Sequence, residues 1–310
     1  MIDDGSPDQS AAICAEYARR DPRFILLRKE NGGAASARNL GMKHARGEYL
    51  LFLDSDDFWT PCTLKAVVEL QRKHPGDMVW WSYSNELDRL DYNGTSEAVP
   101  YTQNQFGTLY TNGFIYFVTN KLFCTRLIRQ ANLQFHDELV YGEDFTFFLA
   151  YFTLWAKDTS SDRRVWFLPC RFYYYETGNE NSVTTAYKPC YCANAIQLAH
   201  RLQTFFGSIC PLPAKDLSLI FEHLLKTIAD GVANDLLQPD GQALARRDLE
   251  HPFVAELVQQ AHQLDIHSPY LWAIEHKALR FTGWLGRRWL HPSRCYHWLL
   301  RLWNIFYSQS

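Results

Sequence analysis

The chain has 310 residues, 47% of them hydrophobic, and a net charge of −3, a globular composition with no electrostatic reason to expect nucleic acid. That length suits one large domain, or one of ordinary size plus an extension. No basic and apolar leader follows Met1, no apolar run approaches the ~18 residues of a membrane span, and the eight cysteines form no Cys-x-x-Cys pair, so they read as reduced thiols of a cytoplasmic protein.

The first predicted element is a helix opening at Ser6-Pro7-Asp8-Gln9, with Ser at N-cap, Pro at the first helical position and Gln at N3. It runs to about Arg20, where Asp21-Pro22 ends it. Phe24 to Leu27 reads as a short strand. Asn31-Gly32-Gly33 makes a tight loop before a helix over 34–46, which Gly47 closes. Glu48 to Leu53 reads as a buried strand that delivers Asp54, Asp56 and Asp57 where it leaves the sheet. Three clustered carboxylates repel one another, and a divalent cation carrying phosphate oxygens would compensate them. Taken alone, the run reads better as a solvated turn capping the next helix.

Thr60-Pro61 starts a helix reaching about Lys73, and Met78 to Tyr83 is another strand. Strands alternating with helices predict an α/β fold with a mostly parallel sheet and crossover helices. From Ser84 to Asn120 the pattern loosens, with a hairpin turn predicted at Asn93-Gly94. Lys121 to Ala131 is a strand–helix element. Glu143-Asp144 opens an apolar segment of helical length, and Val165–Leu168 and Arg171–Tyr175 read as short strands. Beyond about Tyr187 the chain reads as helices, among them 194–206, 215–237 and 255–264. The expected division is residues 1–187 and a helical region, 188–310.

Four segments belong together: Asp3-Asp4-Gly5-Ser6, Asn31-Gly32-Gly33 with Ser36-Ala37-Arg38-Asn39, Leu53-Asp54-Ser55-Asp56-Asp57, and Gly142-Glu143-Asp144. In this order over about residues 1–187 they resemble the family 2 glycosyltransferases, inverting enzymes of the GT-A fold that use a nucleotide-diphosphate sugar and usually Mn²⁺ or Mg²⁺. The resemblance implies that Asp4, with Asp3 as second choice, accepts a hydrogen bond from the nucleotide base; capping of the following helix is the other reading of these acids. It places Arg38 and Asn39 on the donor side. Arg38 suits phosphate through its bidentate fork, and pairing with a nearby aspartate explains it equally.

Asp54 and Asp56 match the family's Asp-x-Asp motif, which implies Asp56 as direct metal ligand, Asp54 nearer the ribose or the metal's waters, and Asp57 in support. Glu143-Asp144 matches the acidic pair at the acceptor side, with Asp144 as general base; simple first-turn acids on a helix N-terminus are the alternative. His136 could line the acceptor site or merely pack. The implied partners are a UDP-sugar donor and a glycan, lipid-linked or protein acceptor, in cell-surface polysaccharide synthesis.

Two departures from the family pattern stand out. The apolar strand and helix that normally precede the Asp-Asp-Gly-Ser segment are missing, so the chain reads as truncated, and a non-catalytic remnant acting as a binding or scaffold protein is the alternative function. The closing segment at 176–182, often basic in the family, is acidic here. The tail from Lys277 interleaves Arg280, Arg287, Arg288, Arg294 and Arg301 with Trp284, Trp289, Trp298 and Trp303. Such a segment over 277–307 suits either peripheral contact with the inner face of the cell membrane or packing on the protein with its arginines outward.

Overall fold

A computed structural model of the chain describes residues 1–94, 96–111, 113–136, 142–158, 163–177, 191–209 and 214–286. The chain divides into two compact units: Met1–Gln103 with Phe114–Gly178, and Asn104–Gly113 with Asn179–Ser310.

The first unit is built around β5 (Met78–Ser84), whose first four residues are all buried. A strand buried on both faces needs neighbours on both edges. β5 has them in β7 (Lys121–Cys124), antiparallel, and β8 (Arg164–Tyr174), parallel. β3 (Tyr49–Leu50) extends the sheet beyond β7, while β4 (Phe58–Trp59) and β6 (Val99–Thr102) pair with β8. β1 (Ile2–Asp3) and β2 (Leu27–Arg28) form a separate parallel pair. The fold is α/β, with helices against a mixed sheet: β1–β2 and β5–β8 are parallel, and the other four pairings are antiparallel. β7 lies antiparallel between β3 and β5, and β4 and β6 lie antiparallel to β8, so the sheet is not mostly parallel as expected; such partnering is not revealed by periodicity within single segments.

Trp81 packs with Val67 of α3 (Thr63–Lys73), Phe172 and Tyr173 on one face of the sheet. On the other face Trp80 meets Phe148 of α6 (Glu143–Lys157) edge-on at 5.3 Å. Six of the fifteen residues of α6 are buried aromatics: Phe145, Phe147, Phe148, Tyr151, Phe152 and Trp155. Burial of that much ring surface, at about 25 cal/mol per Å², fixes α6 against the sheet and its acidic first turn with it.

Several local expectations shift. α1 spans Ser10–Arg20 and begins four residues after Ser6. The Ser6 amide donates instead to Asp3 Oδ1 (3.1 Å), and the Ser10 amide donates to Asp8 Oδ1 (2.9 Å). Short acidic side chains capture nearby amides and hold a turn where the Ser-Pro pattern predicts a helix. Gly94 adopts φ +60°, but β6 pairs with β8, so the turn returns the chain across β8 and builds no β5–β6 hairpin. The two strands predicted between 165 and 175 are one strand, β8, with register irregularities against β5 at Trp81–Tyr83. α2 (Gly33–His44) and α5 (Thr125–Gln130) lie where their segments predict helices.

The second unit is helical. α7 (Tyr191–Ile209), α8 (Ala214–Asp235), α9 (Gly241–Leu249), α10 (Pro252–Gln263), α11 (Pro269–Glu275) and α12 (Leu279–Gly286) are joined by α4 (Phe106–Thr111). Phe106 packs on Phe205, and the Tyr110 hydroxyl lies 2.5 Å from His223 Nδ1. The described part of the tail is α12, where Leu279, Thr282 and Leu285 are buried and a Cβ on Gly286 would meet Ala229 O at 2.2 Å. It is therefore packed within this unit, and the membrane-contact expectation for the remainder, 287–307, lies outside the described residues. Among the described residues no helix is long and apolar enough to cross a membrane.

Candidate active site

Three elements of the first unit bring charged side chains together. The run after β3 supplies Asp54, α2 supplies Arg38, and the first turn of α6, entered through Gly142 at φ +83°, supplies Glu143 and Asp144. Arg38 Nη2 donates to Asp54 Oδ1 at 2.8 Å, Arg38 Nη1 donates to Asp144 Oδ1 at 2.6 Å, and Glu143 Oε1 lies 3.4 Å from Nη1. The guanidinium is 12% exposed. One cation thus links three carboxylates from positions 54, 143 and 144.

Aromatic packing holds this arrangement. Phe135 stacks on Phe147 (4.1 Å between centroids, planes 4° apart), and Phe52 meets both rings edge-on at 5.2 and 5.9 Å. Phe52 precedes Asp54 by two residues and Phe147 follows Asp144 by three. Arg38 also sits 5.4 Å from the Phe135 ring centroid, within cation–π range. Asn39 secures the same segment: its Nδ2 donates to Phe135 O (3.0 Å) and its Oδ1 accepts from the Phe135 amide (2.8 Å). Phe135 carries no charge, and no sequence motif marks it; its role emerges only from the contacts.

The electrostatics differ from one acid to the next. Burial pushes Asp144 up to about 7, against the Arg38 charge, which acts downward, and with Glu143 and Asp54 adding to the rise. Asp57 is also raised, by burial first, although the Glu176 amide (2.8 Å) and the Tyr173 hydroxyl both donate to it. Asp57 therefore ties the acidic turn to the end of β8. Asp56 is exposed, and its carboxylate has no hydrogen-bonding or ionic partner among the described residues. Of the three acids in the run, Asp54 is held by Arg38, Asp57 by β8, and Asp56 by none of the described residues.

Asp3 and Asp4 stand apart from that cluster in their bonding. Asp4 accepts from Lys29 Nζ (2.6 Å), the Gly33 amide (2.7 Å) and the Gly32 amide (3.1 Å), closing the start of α2. Burial acts upward on Asp4, yet Lys29 and the two amides hold it below the usual carboxylate range. Asp3 is buried and accepts from Ser6 and from Arg28 Nε (3.0 Å).

The profile of glycosyl transferase family 2 matches residues 1–131. This segment belongs to glycosyl transferase family 2. EpsJ, a glycosyltransferase of Bacillus subtilis (strain 168), is 32% identical over 197 residues, covering 61% of this chain and 55% of that protein. The poly(ribitol-phosphate) beta-N-acetylglucosaminyltransferase TarS of Staphylococcus aureus (strain Mu50 / ATCC 700699) is 27% identical over 190 residues, 60% of this chain and 31% of TarS. The chain thus spans about half the length of EpsJ and a third of TarS. The crystal structure of S. aureus TarS 1–349 in complex with UDP-GlcNAc superposes with a TM-score of 0.63 at 19% identity, covering 94% of this chain and 82% of that one. The family 2 segment therefore lies in a GT-A fold, and it carries Asp3, Asp4, Arg38, Asn39, Asp54 and Asp56. Glu143 and Asp144 follow it in the chain and are joined to it through Arg38.

Proposed function

We propose that the chain is an inverting glycosyltransferase that moves a sugar from a UDP-sugar to a hydroxyl of a glycan or lipid-linked acceptor, at the cytoplasmic side of cell-surface polysaccharide synthesis. The observation that carries this reading is the Arg38 link between Asp54 and Asp144. It unites an acid of the donor-side motif with a carboxyl whose proton affinity matches neutral pH. TarS structures with UDP-GlcNAc and with UDP support the uridine donor.

In this reading the acceptor hydroxyl oxygen attacks the anomeric carbon while the bond from that carbon to the diphosphate oxygen breaks. The nucleotide leaves as an anion, and the acceptor proton passes to a carboxylate oxygen of Asp144. A base that titrates near 7 is well matched to this task, and such assistance is worth ~10²–10⁴ in rate. Arg38 favours the ionised form of Asp144 against the effect of burial and orients it, and Glu143 shares the same guanidinium. The donor set also fits a hard divalent cation: Asp56 is exposed and unpartnered, Asp54 lies two residues away, and Mg²⁺ or Mn²⁺ takes one or two carboxylates together with phosphate oxygens. Such a cation would neutralise charge on the diphosphate as a Lewis acid.

The test is sugar transfer and UDP binding measured on a panel of UDP-sugars with and without Mn²⁺, for wild type and Asp144→Asn. Transfer by wild type, lost in Asp144→Asn while UDP binding is retained, supports the assignment. Absence of UDP-sugar binding by the wild-type chain would overturn it and leave the scaffold reading.

A further inference from the structure

The helical unit contains a second group of potential ligands, remote in type from the carboxylates around Arg38. Cys192 is the second residue of α7, Asp235 the last of α8 and Asp248 the eighth of the nine in α9. All three are buried, at 0%, 2% and 6% exposure, and one ligand atom from each lies within 4.8 Å of the others. We propose that Cys192, Asp235 and Asp248 hold a zinc ion that ties the start of α7 to the ends of α8 and α9.

Three independent features support the site. First, Asp235 Oδ2 is a buried oxygen with no hydrogen-bond partner among the described residues. A buried, unmatched carboxylate oxygen is costly, and a cation in the cluster would satisfy it. Asp248 accepts from Arg247 Nε at 2.9 Å, and among the described residues the Cys192 sulfur has a 3.9 Å contact to Ile228 O.

Second, the helix ends have the right polarity. Asp235 and Asp248 sit at helix C-termini, where backbone carbonyls already favour a cation and a bare carboxylate is disfavoured. Two carboxylates, one thiolate, Arg247 and a dication sum to zero charge. Third, the approach is built for contact: a Cβ on Gly231 would come within 2.6 Å of Cys192 Cα, so only glycine lets α8 run this close to α7.

A thiolate with two carboxylates favours zinc over Mg²⁺ or Mn²⁺, because sulfur is a soft ligand. Three protein ligands leave one position of the tetrahedron for solvent. A cavity of about 580 Å³ in the same unit, lined by Ala193, His200, Arg201, His251 and also Asp248, offers an entry path.

The experiment uses the whole chain, purified without chelators. Elemental analysis is expected to find about one zinc per chain. Exchange for Co²⁺ should give a near-ultraviolet thiolate-to-metal band that Cys192→Ser removes, Asp235→Asn weakens and Asp56→Ala leaves unchanged. The last control separates this site from an all-oxygen site at the acidic turn. Wild-type protein without zinc and without the band would overturn the proposal, and so would a band that persists in Cys192→Ser. A protonated-carboxyl infrared band lost in Asp235→Asn, in zinc-free wild type, would instead assign a shared proton and equally overturn it. The wild-type measurements decide the matter even where a variant fails to fold.

Discussion

Arg38 donates to Asp144 across 2.6 Å, joining the helix after the Gly32-Gly33 loop to the helix that begins at Glu143. The same guanidinium reaches Asp54, so the spacing of Asp54 and Asp144 is set by one side chain lying over Phe135. The predictions below follow from that geometry.

The activity of the wild type should rise with pH through about 7, because Asp144 as the proposed base accepts a proton only when ionised and burial holds it near that value. Arg38 opposes the rise, so Arg38→Met should move the acidic limb of kcat/KM to higher pH, and Arg38→Lys should leave it near that of wild type. An unmoved limb in Arg38→Met would sink the link between the two residues.

Stability should show the same group with the opposite slope. The folded-state value of about 7 lies above the ordinary 3.8. Between those limits the folded chain holds a proton that the unfolded chain has released. The contribution of Asp144 to stability therefore falls as pH rises across that window. Urea titrations at several pH values should show this fall reduced in Asp144→Asn.

Neighbouring acids in the turn should part company. Asp56→Ala removes an exposed, unpartnered carboxylate, so its melting temperature should match wild type while Mn²⁺-dependent UDP binding is lost. Asp57→Ala unbinds the Tyr173 hydroxyl and the Glu176 amide and should destabilise by about 1–3 kcal/mol. Equal melting temperatures for the two variants would contradict the anchoring role of Asp57.

Asn39→Leu removes both hydrogen bonds to the Phe135 backbone and should cost about 2–3 kcal/mol at roughly 1 kcal/mol per bond plus the unpaired groups left behind. Because Phe135 underlies Arg38, kcat should fall more than UDP affinity. Thermal unfolding and the split between kcat and KM check both halves.

Much of this was legible in the sequence. The Gly-Gly loop before Arg38 and the acidic start of an aromatic helix are local patterns that sit at the elements they predict, whereas the buried strand predicted over Glu48–Leu53 forms only as the half-buried pair Tyr49–Leu50, with Leu53 exposed. Local pattern misled at Ser6, where Asp3 and Asp8 captured the amides that a helix cap would have used. It was silent on strand partners: nothing within Lys121–Cys124 states that β7 runs antiparallel between β3 and β5.

By itself, then, the sequence determined the α/β character, the positions of the acids and the helical nature of the carboxyl-terminal part, because these depend on periodicity, turn chemistry and composition within short windows. Only the tertiary structure decided what each acid does. Arg38 meets Asp54 and Asp144 at sequence separations of 16 and 106, Asp57 meets Tyr173 at 116, and Asp56 has no hydrogen-bonding or ion-pair partner among the described residues. Such pairings depend on how buried rings such as Phe52, Phe135 and Phe147 pack distant segments together, and no local window contains that information.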